Sequence, residues 1–506
     1  MRQLFSALLL CLASAALPAQ TLETFVSQQL DTYVEAALKR WQIPGAAVCV
    51  VKDGKVLIAR GYGIRQLGRS ERVDENTLFE IGSNTKAFTG TALALLADDK
   101  KCTLDDKVQR WLPDFRMRDE WVARELTLTD ILCHRMGMET FQGDFTYWTS
   151  DLTSAEVIRK FGLMTPQYGF RSRWGYTNAG FAIAGEAIRA ISGQTWGDVV
   201  KTRIFQPLAM QRTVAYSAEF ARADNAAQPH TIIAGRPEAQ PVALIDNLAP
   251  AGSIGSSVLD LSHWLIAQLD SGRYAGQRVL PWNALARTRQ PESMLGRAGT
   301  PFNRSHYQLY ALGWFLQDYA GREIVSHTGG VNGFVTSVTL LPEEKIGIVV
   351  LTNTDANAFY ESLKWELIDV ALGLPYRDYD RFYFDDYTAQ QTKADAEIAT
   401  WRDSVRRNVS PGLPLPAYTG RYENPVYGWV DISKEGTAQL TMTFQHHPAL
   451  RGRLESLGNQ RFLCTYSDPI MGVKVLPFRM EGNRVLGFAL SVADFVEFTP
   501  YEFVKK

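Results

Sequence analysis

Ala46-Ala47-Val48-Cys49-Val50-Val51-Lys52-Asp53-Gly54-Lys55-Val56-Leu57-Ile58-Ala59-Arg60 reads as two strands about an Asp-Gly turn. That pair supplies the positive φ a tight hairpin requires. The rest of the chain decides how the hairpin is used. After a polar loop to about Ile81, the spacing predicts helices over Ser83–Asp98, Thr127–Cys133, Tyr176–Ile191 and Val258–Leu269. Strand patterns return at Ile324–Ser326, Thr336–Leu341 and Ile346–Asn353, and a helix over Phe359–Leu372 stops at Gly373. Strands at both ends therefore enclose a helical middle. The expected class is α+β, with an antiparallel sheet built from both ends of the unit. An opening hairpin, in place of alternating βαβ units, argues against a doubly wound parallel sheet.

Beyond this unit the pattern changes. Residues 376–409 are charged and polar, with helical character around Gln390–Arg407, and Pro411, Pro414 and Pro416 then punctuate the chain. Short alternating segments come next, at Gly428–Ile432, Leu440–Phe444, Phe462–Tyr466, Lys474–Met480, Val485–Leu490 and Phe495–Phe498. They predict a small all-β sheet or half-barrel. The expected organisation is a leader at 1–19, a first domain at 20–375, a linker with helical character at 376–410 and a β-domain at 411–506.

The leader is read from Met1-Arg2-Gln3, the apolar run Leu4–Leu17 and the small residues about Pro18-Ala19-Gln20. A charged start, a short apolar stretch and a small-residue exit are the order of a secretory signal. Export to a periplasm or the exterior is the expectation, with no integral membrane span. The 506 residues carry 53 Lys+Arg against 54 Asp+Glu, a net charge of −1. Nucleic-acid binding, which needs a basic surplus, is not expected. Five Cys are too sparse for a disulfide scaffold, and the sequence does not choose among their pairings. Seven His occur without HExxH or a Cys/His cluster, so neither a metal nor another cofactor is expected. Oligomeric state is not legible.

Three short motifs carry chemistry. Ser83-Asn84-Thr85-Lys86 is an SxxK at the start of a helix, where residues three apart share a face. The Lys86 amine can then reach the Ser83 hydroxyl, which needs a base to become a nucleophile. Burial and the helix N-terminus both disfavour an ammonium there. Alone, the tetrapeptide also fits an N-capping serine with a solvated lysine one turn on. Tyr176-Thr177-Asn178 opens a predicted helix. The tyrosine can relay protons, and the asparagine can bond a substrate amide or position the lysine. A second YxN, Tyr422-Glu423-Asn424, falls in the β-domain and reads as a strand end. His327-Thr328-Gly329-Gly330 lies on a predicted edge of the later strands, where small residues let a substrate backbone approach.

The order Ser-x-x-Lys, Tyr-x-Asn, His-Thr-Gly resembles the serine β-lactamase-related family: class C β-lactamases, DD-peptidases, D-aminopeptidases and related esterases. The resemblance spans about Gln28 to Leu374. It includes Phe79-Glu80-Ile81-Gly82, Trp174 through Gly180, Pro250-Ala251-Gly252-Ser253, Tyr310-Ala311-Leu312-Gly313-Trp314 and Asn332-Gly333. It implies a β-lactamase/transpeptidase-like fold with a helical subdomain. The segment with Tyr418-Thr419-Gly420-Arg421-Tyr422 and Phe495 is similar to the small β-domain appended to such hydrolases. Carried over, the resemblance makes Ser83 the nucleophile, Lys86 its base and Tyr176 the acid/base for leaving group and water. Asn178 would orient Lys86 or substrate. His327, Thr328, Gly329 and Gly330 would line the substrate, with the N–H groups of Ser83 and Gly330 as oxyanion hole. The implied activity is hydrolysis of an amide or ester in a small molecule or peptide. The alternative is a penicillin- or ligand-binding protein on an inactive scaffold, against which the intact Ser83, Lys86, Tyr176 and Asn178 argue.

Two departures stand out. His327 occupies the place where β-lactamases carry lysine, a fixed charge for a substrate carboxylate. An unperturbed histidine is mostly neutral at pH 7, which favours peptidase or esterase over efficient β-lactamase activity. His134-Arg135-Met136-Gly137-Met138 also departs, since relatives more often have a small polar residue before the glycine.

Overall fold

The computed structural model describes residues 21–436 and 439–506, and the expected leader at 1–19 lies outside them. The first domain is built on an eight-stranded antiparallel sheet. Its strands are β1 (Gly45–Lys52), β2 (Lys55–Gly63), β3 (Ser293–Gly296), β4 (Gln308–Tyr310), β5 (Phe315–Tyr319), β6 (Arg322–Val331), β7 (Phe334–Leu341) and β8 (Ile346–Thr352). The spatial order is β2-β1-β8-β7-β6-β5-β4-β3, so the first hairpin docks beside the last strand. Ala46 faces Thr352 and Gly45 faces Gly63 in the register. The hairpin turns where expected, with φ of +48° at Asp53 and +71° at Gly54.

The continuous apolar run of β1 reflects burial on both faces. Ala47, Cys49 and Val51 face the helical middle, whereas Ala46, Val48 and Val50 face a second core. A strand covered on both sides needs no polar alternation. The second core is roofed by α1 (Leu22–Gln28), α2 (Leu30–Trp41) and α6 (Phe359–Ala371). The helical middle contributes α3 (Thr85–Asp98), α4 (Asn178–Ser192) and α5 (Val258–Leu269) on the other face. The α+β class and the sheet built from both ends are as expected. Among the described residues, no helix is long and apolar enough to cross a membrane.

Two expectations are corrected. Helical character is expected around Gln390–Arg407, but α7 runs from Tyr379 to Arg406. Asp378 starts it by accepting from the Arg381 N–H at 3.1 Å. Its first turns belong to the second core, where Phe384 and Tyr387 pack on Trp41 at 5.1 and 5.4 Å between ring centroids. Asp380 accepts from Trp41 Nε1 and from Arg40, each at 2.6 Å. Tyr379, Tyr383, Phe384 and Tyr387 give these turns an aromatic face against that core, which the charged and polar reading of 376–409 passes over.

The β-domain is a closed eight-stranded barrel, not a half-barrel. It comprises β9 (Gly420–Asn424), β10 (Gly428–Glu435), β11 (Gln439–Phe444), β12 (Arg451–Gly458), β13 (Arg461–Tyr466), β14 (Val473–Glu481), β15 (Arg484–Leu490) and β16 (Tyr501–Lys505). Pairing of β16 with β9 closes the ring and leaves no open edge. The unexpected strands are β9, β12 and β16; Tyr422-Glu423-Asn424 ends β9. Phe495–Phe498, expected as a strand, is a turn between β15 and β16.

Candidate active site

Ser83 lies in a 3₁₀ turn, Gly82–Asn84, that runs directly into α3. It does not cap the helix. Asn84 precedes α3 in helical conformation, and its Nδ2 donates to Ile81 O at 3.1 Å and Thr336 Oγ1 at 2.8 Å. Thr336 Oγ1 donates in turn to Ile81 O at 2.9 Å, which bolts the turn to β7. Glycines make this seat possible. A Cβ on Gly82 (φ +52°) would stand 2.8 Å from Gly330 N, and one on Gly329 would stand 1.9 Å from Ile81 O.

Lys86 is fully buried, and its Nζ has three neighbours: Asn178 Oδ1 at 2.6 Å, Ala251 O at 2.8 Å and Ser83 Oγ at 2.9 Å. Burial holds its pKa well below the ordinary amine value, with Asp144 pulling the other way. A neutral amine has two N–H donors and one lone pair. The two carbonyl oxygens take the donors, so the lone pair is left to accept from the Ser83 hydroxyl. That is the arrangement of a general base and its nucleophile.

Asn178, the first residue of α4, spends its side chain on the site and not on a cap. Its Nδ2 donates to Asp144 Oδ2 at 2.6 Å and to Tyr147 OH at 3.0 Å, which turns Oδ1 toward Lys86. Tyr176 is buried, with Lys86 Nζ 4.8 Å from its ring centroid. Burial raises the phenol pKa while the Ser83 hydroxyl pulls it back, so the phenol is a proton donor at rest. His134 orients this segment. Its Nδ1 accepts from the Thr177 N–H at 2.9 Å, and its ring lies 4.4 Å from that of Tyr176.

His327 sits on β6, which is an internal strand of the sheet, unlike the expected edge. Its pairing with β5 stops at Ser326, however, so residues 327–330 are open on that side. His327 Nδ1–H donates to Thr328 O at 2.6 Å, and Nε2 accepts from Tyr310 OH at 2.9 Å. Burial, reinforced by Lys86, lowers its pKa to about 3, so the ring is neutral at physiological pH.

Ser83, Tyr176, Asn178, His327, Thr328, Gly329 and Gly330 all line one cavity of about 310 Å³, and Lys86 lies beneath its floor. Its walls are aromatic, with Phe141, Trp148, Trp174, Phe315 and Phe495, and no lining residue is Lys or Arg. A larger cavity of about 520 Å³ between domain and barrel, near Asn332, Asp355 and Asp468, lacks this serine–lysine pair. Asp144, Tyr147, Tyr310 and Phe495 are not legible from sequence as site residues, because contacts and not local pattern bring them here. Among the described residues no cluster of three His, Cys, Asp or Glu side chains could hold a metal ion, and Cys49, Cys102, Cys133 and Cys464 are buried free thiols.

A family described as Beta-lactamase matches residues 30–373, and a Domain of unknown function (DUF3471) matches residues 406–503. The unguisins hydrolase ungD' of Aspergillus campestris (strain IBT 28561) is 32% identical over 430 residues, covering 80% of this chain and 78% of that protein. Protein flp of Staphylococcus aureus (strain MW2) is 26% identical over 344 residues, covering 65% of this chain and 63% of its own. Among solved structures, the octameric penicillin-binding protein homologue from Pyrococcus abyssi superposes with a TM-score of 0.57 at 19% identity, covering 94% of this chain and 99% of its own. A D-stereospecific amidohydrolase from Streptomyces sp. superposes with a TM-score of 0.52 at 23% identity, over 64% and 93% of the two chains.

Proposed function

The chain belongs to the beta-lactamase family and is a serine hydrolase, and from that premise we propose that it cleaves an amide or ester through an acyl-Ser83 intermediate. The observation that carries the reading is the set of three contacts on Lys86 Nζ, two of which consume its donors and leave the lone pair for Ser83. Ser83 Oγ attacks the carbonyl carbon as its proton passes to Lys86. The oxyanion lies between the N–H groups of Ser83 and Gly330. Collapse breaks the bond to the leaving group, which takes a proton by way of Tyr176. Water then attacks the acyl carbon, gives its proton to the same pair, and Ser83 regains its hydroxyl.

The preferred substrate is an uncharged peptide or ester and not a carboxylate-bearing β-lactam. A neutral His327 and a cavity without Lys or Arg offer a carboxylate no counter-charge. The name of the unguisins hydrolase relative supports a hydrolytic role, and that of the D-stereospecific amidohydrolase is in keeping with an amide. A panel of p-nitrophenyl acetate, D-amino-acid amides and nitrocefin tests the preference. Ester or amide turnover should exceed nitrocefin turnover, and His327→Lys should shift the ratio at least tenfold toward nitrocefin. Nitrocefin as the better wild-type substrate, or an unchanged ratio in the variant, would contradict it. We further propose export to the periplasm or exterior, on the order of charged, apolar and small residues in 1–20. A mature N-terminus near Ala19 in the extracytoplasmic fraction checks this.

A further inference from the structure

The barrel reaches the catalytic lysine through one buried carboxylate. Glu497 stands in the turn between β15 and β16, which is itself tied by Ala493 N–H to Met471 O at 2.9 Å and Glu497 N–H to Ala493 O at 3.0 Å. Its side chain is 2% exposed. It accepts from four groups. Gly143 N–H reaches Oε1 at 2.5 Å and Phe145 N–H reaches Oε2 at 3.1 Å. Tyr427 OH lies 3.1 and 2.9 Å from the two oxygens, and Tyr501 OH lies 2.5 Å from Oε1.

The two amides flank Asp144. Asp144 Oδ2 accepts from Asn178 Nδ2, and that contact decides which end of the Asn178 amide faces Lys86. Reversed, Asn178 would present N–H groups to the lysine and compete for its lone pair. The barrel grips the next residue as well. His447 stacks on the Phe145 ring at 4.2 Å between centroids, and its Nε2 donates to Phe145 O at 2.9 Å. The titratable groups about Glu497 are thus Tyr427, Tyr501, Asp144 and His447.

We propose that Glu497 is a positioning residue of the reaction: by holding the amides on both sides of Asp144, the barrel sets the orientation of Asn178 and the aim of Lys86 at Ser83. The inference rests on Ser83 and Lys86 acting as nucleophile and base. A role as simple glue between domains predicts something different. Glue would alter the folded fraction, or the wall that Phe495 forms over Gly330, without altering the chemical step. A Cβ on Gly330 would stand 3.1 Å from the Phe495 ring, so this wall belongs to substrate binding.

Glu497→Gln separates the two roles. Glutamine has one oxygen, and the two flanking amides bond different oxygens, so one amide must face the Gln NH₂ and lose its partner. The full-length protein is mixed with p-nitrophenyl acetate, the burst rate is referred to fluorophosphonate-titratable protein, and the Ser83 peptide is weighed. The burst rate should fall at least tenfold, with the substrate concentration that half-saturates it within twofold of wild type. Asp144→Ala, which removes the oxygen that accepts from Asn178 Nδ2, should give the same split, and the double variant should be no slower than the worse single one. A wild-type burst rate in Glu497→Gln, a loss confined to the half-saturating substrate concentration of the burst, or multiplicative losses in the double variant would overturn the proposal. Should Glu497→Gln fail to fold, Tyr427→Phe removes a donor that touches both oxygens. A severalfold slower burst at an unchanged half-saturating substrate concentration is then expected, and an unchanged burst overturns the proposal. A wild-type protein with no burst and no adduct on Ser83 would instead overturn the assignment of nucleophile and base on which the inference rests.

Discussion

Lys86 is three residues from Ser83, and the 3₁₀ turn that runs into α3 brings the pair within 2.9 Å. The side chains that tune the pair are not legible in the same way. Asp144 and Asn178 are 34 positions apart and Glu497 and Gly143 are 354 apart, distances over which no local pattern speaks. Glu80, which in the sequence is only part of the approach to Ser83, is another case. It is fully buried, and burial pushes its pKa up to about 8, with the Ser217 hydroxyl opposing and Asp246 adding to the rise. An unfolded glutamate titrates near 4.5, so between about pH 4.5 and 8 the native state binds the extra proton. Stability from this group is therefore fully present below pH 4.5 and is lost as pH rises through 8. Glu80→Gln should raise Tm relative to wild type by at least ~3 °C more at pH 9 than at pH 5. An equal difference at the two pH values would show that the carboxyl titrates normally.

Among the elements, the SxxK turn is held by β6 and β7, not by a capping serine. Gly329 is the tightest point of that seat, since its Cβ would overlap Ile81 O. Gly329→Ala should cost about 2 kcal/mol or more in urea unfolding and slow acylation by moving the Ser83 turn. Wild-type stability and rate would mean the seat yields freely. The elements with strong periodicity are legible: the β1–β2 hairpin, α3, α5 and α6 begin and end within a few residues of expectation, whereas α1, α2 and the short strands β3, β4 and β5 are not read from the sequence. The start of α7 is not, because its aromatic residues are interleaved with charges and their face shows only against Trp41 and the second core. Nor is the open side of β6, which depends on where β5 begins, at Phe315 opposite Ser326. In the barrel, β12, β16 and the start of β9 escape a reading of the sequence, and the pairing of β16 with β9 is what closes the ring.

On the scale of the whole molecule, two domains share one site. The sheet assembled from both ends of the first domain fixes Ser83, Lys86 and the His327–Gly330 strand. The barrel adds Phe495 as a wall and Glu497 as a brace, while α7 spans the gap. Its Asp380 bonds Trp41, and its Arg402 donates to Glu455 at 3.1 Å and Thr465 at 2.9 Å on the barrel. With 53 basic against 54 acidic residues, no global field steers substrate. Selection falls to an aromatic cavity that no Lys or Arg lines. The proposed reaction turns on delivery of an acyl group to Ser83. Intact-mass and peptide mapping of enzyme quenched during turnover of a slowly hydrolysed ester reads that event directly. One acyl adduct is expected, on the peptide containing Ser83 and absent in Ser83→Ala. An adduct on another residue, or wild-type turnover in Ser83→Ala, would contradict the assignment.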